Sequence, residues 1–237
     1  MSSGFFGFFA HAGLVCALEE AGLWPARLSG SSAGALVAAC WAAGLPGRSL
    51  AAELVVLRRD DFWDPWPGPG LLRGRLFRSL LTDLLPVERF ADCRWPLALS
   101  VFDVLSRKTR VVRSGPLAPA VHASCALPLL FQPVWLGFRP CLDGGISDRH
   151  GLAGMPDGGR LLYHHIASRS PWRRPDSPAL KLPSRSDTVS LVIEDLPRAG
   201  PFNLSAGRHA YLHALDAARR SLDLPLSFSL TVSSIGG

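Results

Sequence analysis

The feature that constrains this chain most is the pentapeptide at residues 30–34, which reads Gly-Ser-Ser-Ala-Gly and fits the pattern G-x-S-x-G. The residues just before it, 27–30, predict a short strand, and the Ala-rich residues 33–43 predict a helix. A serine flanked by small residues at a strand-to-helix turn is typical of a nucleophile elbow, in which the hydroxyl is lifted clear of the sheet. The pattern therefore indicates Ser32 as a candidate nucleophile.

Two glycines, Gly30 and Gly34, are the residues that would permit this elbow, since they allow a tight turn and close backbone packing. The helix that follows would favour negative charge developing near its N-terminus. The competing interpretation is that Ser31 or Ser32 only caps that helix.

A serine hydroxyl is a poor nucleophile at its own pKa, so a base has to lie beside it. One candidate is Asp143, in the sequence Asp-Gly-Gly at residues 143–145, where the glycines leave the carboxylate approachable. The other source is a histidine, as in Ser-His-Asp triads. The downstream histidines are His122, His150, His164, His165, His209 and His213.

A glycine-bearing segment stands at residues 3–7, Ser-Gly-Phe-Phe-Gly, ahead of a predicted first helix. A loop of this kind can direct backbone N–H groups at an oxyanion or a phosphate. By itself it is a weak signal.

Composition excludes several classes of protein. The 237 residues are 48% apolar and 19% charged, so the chain can bury a large core and is not predicted to be disordered. The net charge of +6 comes from scattered arginines without aromatic–basic interleaving, so nucleic acid is not an expected partner. The five cysteines form no CxxC pair, which argues against a zinc site or a disulfide framework.

Alternating helical and strand patterns favour one α/β domain over residues 1–237. No apolar stretch reaches the ~20 residues that a membrane-spanning helix needs, so a transmembrane anchor is not expected, and peripheral contact at a membrane surface stays open. The cysteines, interpreted as reduced and mostly buried thiols, predict a cytoplasmic protein. Residues 60–74 and 168–187 are predicted loops. The predicted helices cover 12–21, 33–43, 50–57, 76–85, 117–127 and 204–222, and the predicted strands cover 27–30, 96–104, 109–113, 161–167 and 188–194.

The order of the three motifs resembles that of the patatin-like phospholipase family: a glycine loop before the first helix, then G-x-S-x-G, then Asp-Gly-Gly about a hundred residues later. Several stretches are particularly similar to its adipose-triglyceride-lipase-type members and their bacterial relatives. These stretches are GFFGFFAHAG at 4–13, LSGSSAGALVAA at 28–39, ASCALPLLFQP at 123–133 and LDGGISD at 142–148. The resemblance covers about residues 3–150.

The resemblance implies a catalytic Ser-Asp dyad without histidine, with Ser32 as the nucleophile and Asp143 as its general base. It also implies an oxyanion hole formed by the backbone N–H groups of Ser3 and Gly4, with help from Phe5. No cofactor and no metal ion are expected for such a dyad.

The family fold implies a three-layer α/β/α sandwich around a mainly parallel sheet. This chain has only three residues before Gly4, so the first strand of the family is expected to be missing or truncated. Ser2 and Ser3 occupy earlier glycine positions of the family loop, and Phe6 stands where a basic residue is usual.

The expected activity is that of a serine acyl hydrolase of the lipase or phospholipase A type, acting on acyl-lipid esters. Phe5, Phe6 and the 62–66 loop are candidates to line an acyl site or to touch a lipid surface. Two alternatives stay open: a non-catalytic scaffold that binds a lipid or a partner, and a hydrolase with a Ser-His-acid triad. The oligomeric state is not predicted.

Overall fold

The computed structural model describes residues 1–167 and 181–224, together with the backbone of residues 229–233. The predicted loop at 168–187 lies mostly outside this part. The helices are α1 (Phe8–Glu20), α2 (Ala33–Ala42), α3 (Gly47–Val56), α4 (Arg75–Leu84), α5 (Leu117–Cys125) and α6 (Ser205–Leu222). The strands are β1 (Leu28–Ser31), β2 (Leu97–Asp103), β3 (Lys108–Val112), β4 (Val134–Leu136), β5 (Arg139–Asp143), β6 (Leu161–Ile166), β7 (Thr188–Glu194) and β8 (Ser229–Ser233).

The described strands form two sheets. The first has the order β1-β2-β5-β4, with β3 also paired to β2, and the second has the order β6-β7-β8. The predicted α/β class with helices flanking the sheet is confirmed. The first sheet is mixed rather than mainly parallel, since β1–β2 is parallel but β2–β3, β2–β5 and β4–β5 are antiparallel. The second sheet is parallel in both of its pairs.

The first residues of the chain connect the two sheets. The N–H of Ser31 in β1 donates to the carbonyl of Met1 at 3.3 Å, and the N–H of Ser2 donates to the carbonyl of His164 in β6 at 3.1 Å. Ser2 also accepts a hydrogen bond from the N–H of Ile166 on its hydroxyl. Within the described residues no strand precedes β1, and this short extended segment lies between the sheets instead.

Helices pack on the sheets and on one another. The backbones of α1 and α6 approach so closely that a Cβ on Gly13 would meet the carbonyl of Tyr211 at 2.7 Å. Helix α2 contacts α1 and α5, and α4 packs on α5. One cluster of buried apolar side chains runs through these helices and reaches both sheets. No helix in the described part of the chain has the length and apolar character needed to cross a bilayer.

Candidate active site

Ser32 occupies a strained turn between β1 and α2. Its backbone has a φ of 53° and a ψ of −123°, a conformation that L-residues rarely adopt. The two flanking glycines are required by close approach: a Cβ on Gly30 would collide with the carbonyl of Gly34, and a Cβ on Gly34 would collide with the carbonyl of Met1. The turn therefore has the geometry of a nucleophile elbow.

The structure brings Ser32 and Asp143 together. The Ser32 Oγ donates to Asp143 Oδ2 over 2.6 Å, and both residues are buried. Ser32 is the N-cap residue of α2, but its side chain makes no capping hydrogen bond. The interpretation of Ser32 as a helix cap is therefore wrong, since its hydroxyl is committed to the carboxylate.

Asp143 is the last residue of β5, and three contacts fix its position. Its backbone N–H donates to the carbonyl of Ala126 at 2.8 Å. Its Oδ1 accepts from the N–H of Gly145 at 2.7 Å, which leaves Oδ2 directed at Ser32. The neighbouring Gly144 has no room for a side chain, because a Cβ there would collide with the carbonyl of Ser100.

Ser124 ties the elbow to the sheet, and the sequence did not indicate this role. Its Oγ accepts from the N–H of Ser32 at 2.9 Å and donates to the carbonyl of Ser100 at 2.7 Å. The adjacent Cys125 donates its thiol to the carbonyl of Ser32. Burial, with the Asp143 carboxylate close by, raises the pKa of that thiol well above its ordinary value. The only signal in the sequence was the similarity of the stretch at 123–133 to family members, which gives no function to Ser124.

Of the three expected oxyanion donors in the N-terminal loop, one is already hydrogen-bonded within the protein. The N–H of Ser3 donates to the carbonyl of Arg149 at 2.7 Å, so this amide is already engaged and Ser3 is removed from the set. Gly4 and Phe5 line the same cavity as Ser32. Their N–H groups donate to no acceptor in the described part of the chain. Ala33, which follows the nucleophile, also lines the cavity.

A cavity of about 350 Å³ opens at Ser32. Its lining is mostly apolar and comes from the N-terminal loop, from α2, α3 and α4, and from the segment after α5. Among the aromatic side chains that line it are Phe5, Phe6, Phe62 and Phe131. A volume and lining of this kind are typical of small-ligand sites with few polar groups.

Five of the seven histidines have hydrogen-bond partners away from the dyad. None of them lines the cavity. His11 and His164 contact each other through their Nδ1 atoms at 2.8 Å, and the Nε2 of His11 lies 2.9 Å from the carbonyl of Ser2. The His122 ring accepts from Arg78, at 2.9 Å from its Nη2. The Nδ1 atoms of His150 and His165 both contact the hydroxyl of Tyr163, at 2.8 and 2.9 Å.

Burial lowers the pKa of several of these rings. The pKa of His11 falls to about 3, and that of His165 falls to about 4, helped by the nearby charge of Arg149. The same desolvation, with the Arg78 guanidinium beside it, lowers the pKa of His122 to about 3. These side chains are consequently neutral at neutral pH.

Asp148, a further carboxylate near the Asp143 loop, stabilises a turn. It accepts from the Ser100 hydroxyl at 2.6 Å and from the N–H groups of Leu152 and Ala153 at 3.2 and 3.0 Å. In the described residues no group of three or more His, Cys, Asp or Glu side chains has the arrangement of a metal site.

Comparison with known proteins adds a family and some relatives. The family model described as patatin-like phospholipase matches residues 1–154. An uncharacterized NTE family protein of Mycobacterium tuberculosis is 29% identical over 146 residues, covering 59% of this chain and 40% of the relative. A second one from that organism is 31% identical over 148 residues, covering 58% of this chain and 24% of the relative. The uncharacterized protein YqhO of Bacillus subtilis is 28% identical over 171 residues, covering 58% of this chain and 59% of the relative.

The chain thus spans less than two thirds of the length of each of these curated relatives. Among solved structures, VipD from Legionella pneumophila aligns with a TM-score of 0.46 at 15% identity, covering 82% of this chain and 49% of that chain. This structural likeness is too distant to support an argument about the site.

Proposed function

The chain belongs to the patatin-like phospholipase family, and from this premise we propose that it is a serine acyl hydrolase that cleaves lipid esters with Ser32 as nucleophile and Asp143 as general base. The observation that carries the proposal is the 2.6 Å hydrogen bond between the two side chains at a strained elbow. The apolar cavity at the same serine supports an acyl chain as the group that is bound.

The proposed reaction begins with attack of Ser32 Oγ on the ester carbonyl carbon while its proton passes to Asp143 Oδ2. The tetrahedral intermediate expels the alcohol oxygen, which takes that proton, and an acyl group stays on Ser32. Water then gives a proton to Asp143 and attacks the acyl carbon. The serine oxygen leaves, recovers the proton, and the carboxylic acid departs.

Negative charge on the carbonyl oxygen needs hydrogen-bond donors in both tetrahedral intermediates. The proposed donors are the backbone N–H groups of Gly4 and Phe5, which line the cavity without an acceptor of their own in the described chain. The N–H of Ala33 is a third donor, because the residue after the nucleophile commonly serves in elbows of this type. Removing one such donor typically costs ~3 kcal/mol of transition-state stabilisation.

The test is hydrolysis of p-nitrophenyl esters of graded chain length by the full chain and by its variants. Ser32→Ala and Asp143→Asn are each expected to lower kcat by at least about a thousandfold. The matched control is Ser31→Ala, since Ser31 is equally buried but its Oγ has no hydrogen-bond partner in the described structure. That variant is expected to keep its activity.

The outcomes separate the proposal from its alternatives. Activity that survives Asp143→Asn but is lost on replacing a downstream histidine would indicate a triad instead of a dyad. Lipid binding by folded wild-type protein, without turnover of any ester in the series, would replace the hydrolase with a binding scaffold. A preference for longer chains would agree with the apolar cavity.

A further inference from the structure

Three apolar side chains stand exposed together beside the cavity, and they are called the apolar tip here: Trp66, Leu71 and Leu129. Their exposed fractions are 56%, 49% and 82%. Backbone hydrogen bonds join them in a row, since the N–H of Trp66 donates to Leu71 and the N–H of Leu71 donates to Leu129, at 3.0 and 2.9 Å. The backbones of the three residues are therefore adjacent, and all three side chains are exposed.

The side-chain exposure and the backbone conformation of Leu129 are both unfavourable. It is the most exposed of the three, and its φ is +67°, a conformation that costs a bulky L-residue roughly 1–2 kcal/mol. Folding alone gains nothing from an exposed leucine that is also strained. Such an outlier is a reason to look for a function at that position.

The tip is continuous with the lining of the cavity. Leu130 and Phe131 follow Leu129 directly in the chain, and both line the cavity. Leu72 follows Leu71, is fully buried, and donates its N–H to the carbonyl of Leu130 at 2.7 Å. In each segment an exposed residue of the tip is thus followed directly by a residue that is buried or lines the cavity.

The surface is already formed in the free protein. The N–H of Gln132 donates to the carbonyl of Leu72, which adds a rung between the two segments. Asp64 closes the loop from the other end, because its carboxylate accepts from the N–H groups of Gly74, Arg75 and Leu76 at the start of α4. Little ordering is left to be done on binding, which favours association.

The charge around the tip is positive. The guanidinium of Arg73 stacks on the Trp66 ring, 4.8 Å from its centroid. Arg75, at the start of α4, is also exposed, and neither arginine has an ion-pair partner among the described residues. The nearby Asp64 carboxylate accepts from three backbone N–H groups, and its formal charge of −1 against the two arginines leaves a net positive charge here. Trp and Arg at an apolar edge are the residue types that enter the headgroup region of a bilayer.

We propose that the apolar tip docks this protein onto an anionic lipid bilayer, with Trp66, Leu71 and Leu129 entering the interface and Arg73 and Arg75 meeting the headgroup phosphates. The proposal rests on the proposed function for its purpose, since a docked tip sets the adjoining acyl cavity against the lipid. The positive charge decides the choice of an anionic bilayer over a neutral one.

The experiment is sedimentation of the full chain with vesicles of phosphatidylcholine alone and of phosphatidylcholine with one quarter phosphatidylglycerol. Trp66→Ala is expected to lower the partition coefficient about tenfold on the mixed vesicles, the effect of losing one large buried side chain. Arg73→Gln and Arg75→Gln are each expected to lower it about fivefold on mixed vesicles, with little change on phosphatidylcholine.

The matched control is Trp24→Ala. Trp24 is 53% exposed and has the guanidinium of Arg94 at 5.5 Å from its ring centroid, so it is close to Trp66 in exposure and also has a cation contact. It precedes β1, whereas Ser32 follows β1, so it lies at the opposite end of that strand. Its replacement is expected to leave vesicle binding unchanged.

Failure of docking and failure of catalysis give different results. All tip variants are expected to hydrolyse a soluble ester, p-nitrophenyl butyrate, like the wild type. If the wild type binds mixed vesicles but does not hydrolyse this ester, the docking proposal stands and the proposed hydrolase activity is wrong. Equal loss of binding in Trp66→Ala and Trp24→Ala, or equal binding of wild type to both vesicles, would overturn the proposal.

Discussion

The cavity lies between two regions that are built in opposite ways. Around Ser32 and Asp143, polar groups are buried and backbones approach so closely that a Cβ on Gly30 or Gly144 would collide with a carbonyl. At the apolar tip, large apolar side chains are exposed and Leu129 is strained. The first region therefore buries polar groups, and the second exposes apolar side chains, both against the usual distribution in a folded protein.

The two regions differ in how the free-energy cost of their unusual burial is offset. Buried polar groups are costly unless they find hydrogen-bond partners, and Ser32 and Asp143 find them in each other, in Ser124 and in Gly145. Exposed apolar groups need no internal partner and are compensated only by an external surface. Substitutions should therefore damage the first region severely and the second hardly at all.

The largest effect is expected for Gly144→Ala. The new Cβ would collide with the carbonyl of Ser100, so we expect destabilisation of more than about 3 kcal/mol and loss of the dyad geometry. Gly115→Ala is the matched control: this glycine has a φ of +92° with nothing near its Cβ position, so only strain of ~1–2 kcal/mol is expected. Urea unfolding measures both, and equal effects would show that crowding at Gly144 is unimportant.

Acid is expected to act on the buried polar region and to spare the tip. Burial lowers the pKa of His11 and His122 to about 3 and that of His165 to about 4, against 6.5 for an ordinary histidine. Between pH 6.5 and these values the unfolded chain binds more protons than the folded one. Stability is therefore complete above pH 6.5 and falls as pH falls, by up to ~1.4 kcal/mol per pH unit for each histidine.

Urea unfolding at pH 7.5, 6.0 and 5.0 measures this slope. His165→Gln is expected to make this slope less steep, because it removes one histidine whose pKa is lowered by burial. A stability that is flat between pH 6.5 and 5.0 would mean that the buried rings take up protons without unfolding.

A smaller effect is expected for Ser124→Ala, which leaves the N–H of Ser32 and the carbonyl of Ser100 without this partner. An unsatisfied buried group costs ~1–3 kcal/mol, and the displaced elbow should lower kcat more than it raises KM. Ser221→Ala is the control, because Ser221 is buried too but bonds only the carbonyl of Ala217 within its own helix. If both variants lose the same stability and the same activity, Ser124 has no special function at the elbow.

The smallest effect is expected at the tip, for Leu129→Gly. Glycine relieves the positive φ but adds chain entropy to the unfolded state, so the free energy of unfolding should change by less than about 1 kcal/mol. Leu71→Gly, at an exposed position without a positive φ, should cost about 1 kcal/mol. A Leu129→Gly variant that is less stable than Leu71→Gly would contradict strain at Leu129.

The elbow could be predicted from the sequence because its requirements are local. A Cβ on Gly30 would collide with the carbonyl of Gly34 inside the turn, and the strand and helix that flank it carry their own periodicity. The crowding at Gly34 comes instead from Met1. The position of Asp143 beside Ser32 was predicted through the family resemblance, and the 2.6 Å contact agrees with it. Most predicted helices and strands are confirmed within a few residues.

Other features depend on partners that are distant in the chain. The Ser3 amide was expected to face the oxyanion, but its acceptor is Arg149, far along the chain. The hairpin of β4 and β5 was not predicted, since its strands are short and interrupted by Pro140. Which of Leu71 and Leu72 faces outward is decided by contacts with residues 127–132, and no local pattern reveals that choice.

The contact between His11 and His164 has a consequence for where protons reside. The carbonyl of Ser2 can only accept, so the Nε2 of His11 carries a hydrogen and its Nδ1 is a lone pair. His164 must then donate from Nδ1, which leaves its buried Nε2 as a bare lone pair without a partner. The two rings form a one-way relay of donors that ends at the segment leading into Gly4. A change of tautomer at His11 would break its hydrogen bond to that segment, whereas a change at His164 alone would break only the bond between the two rings.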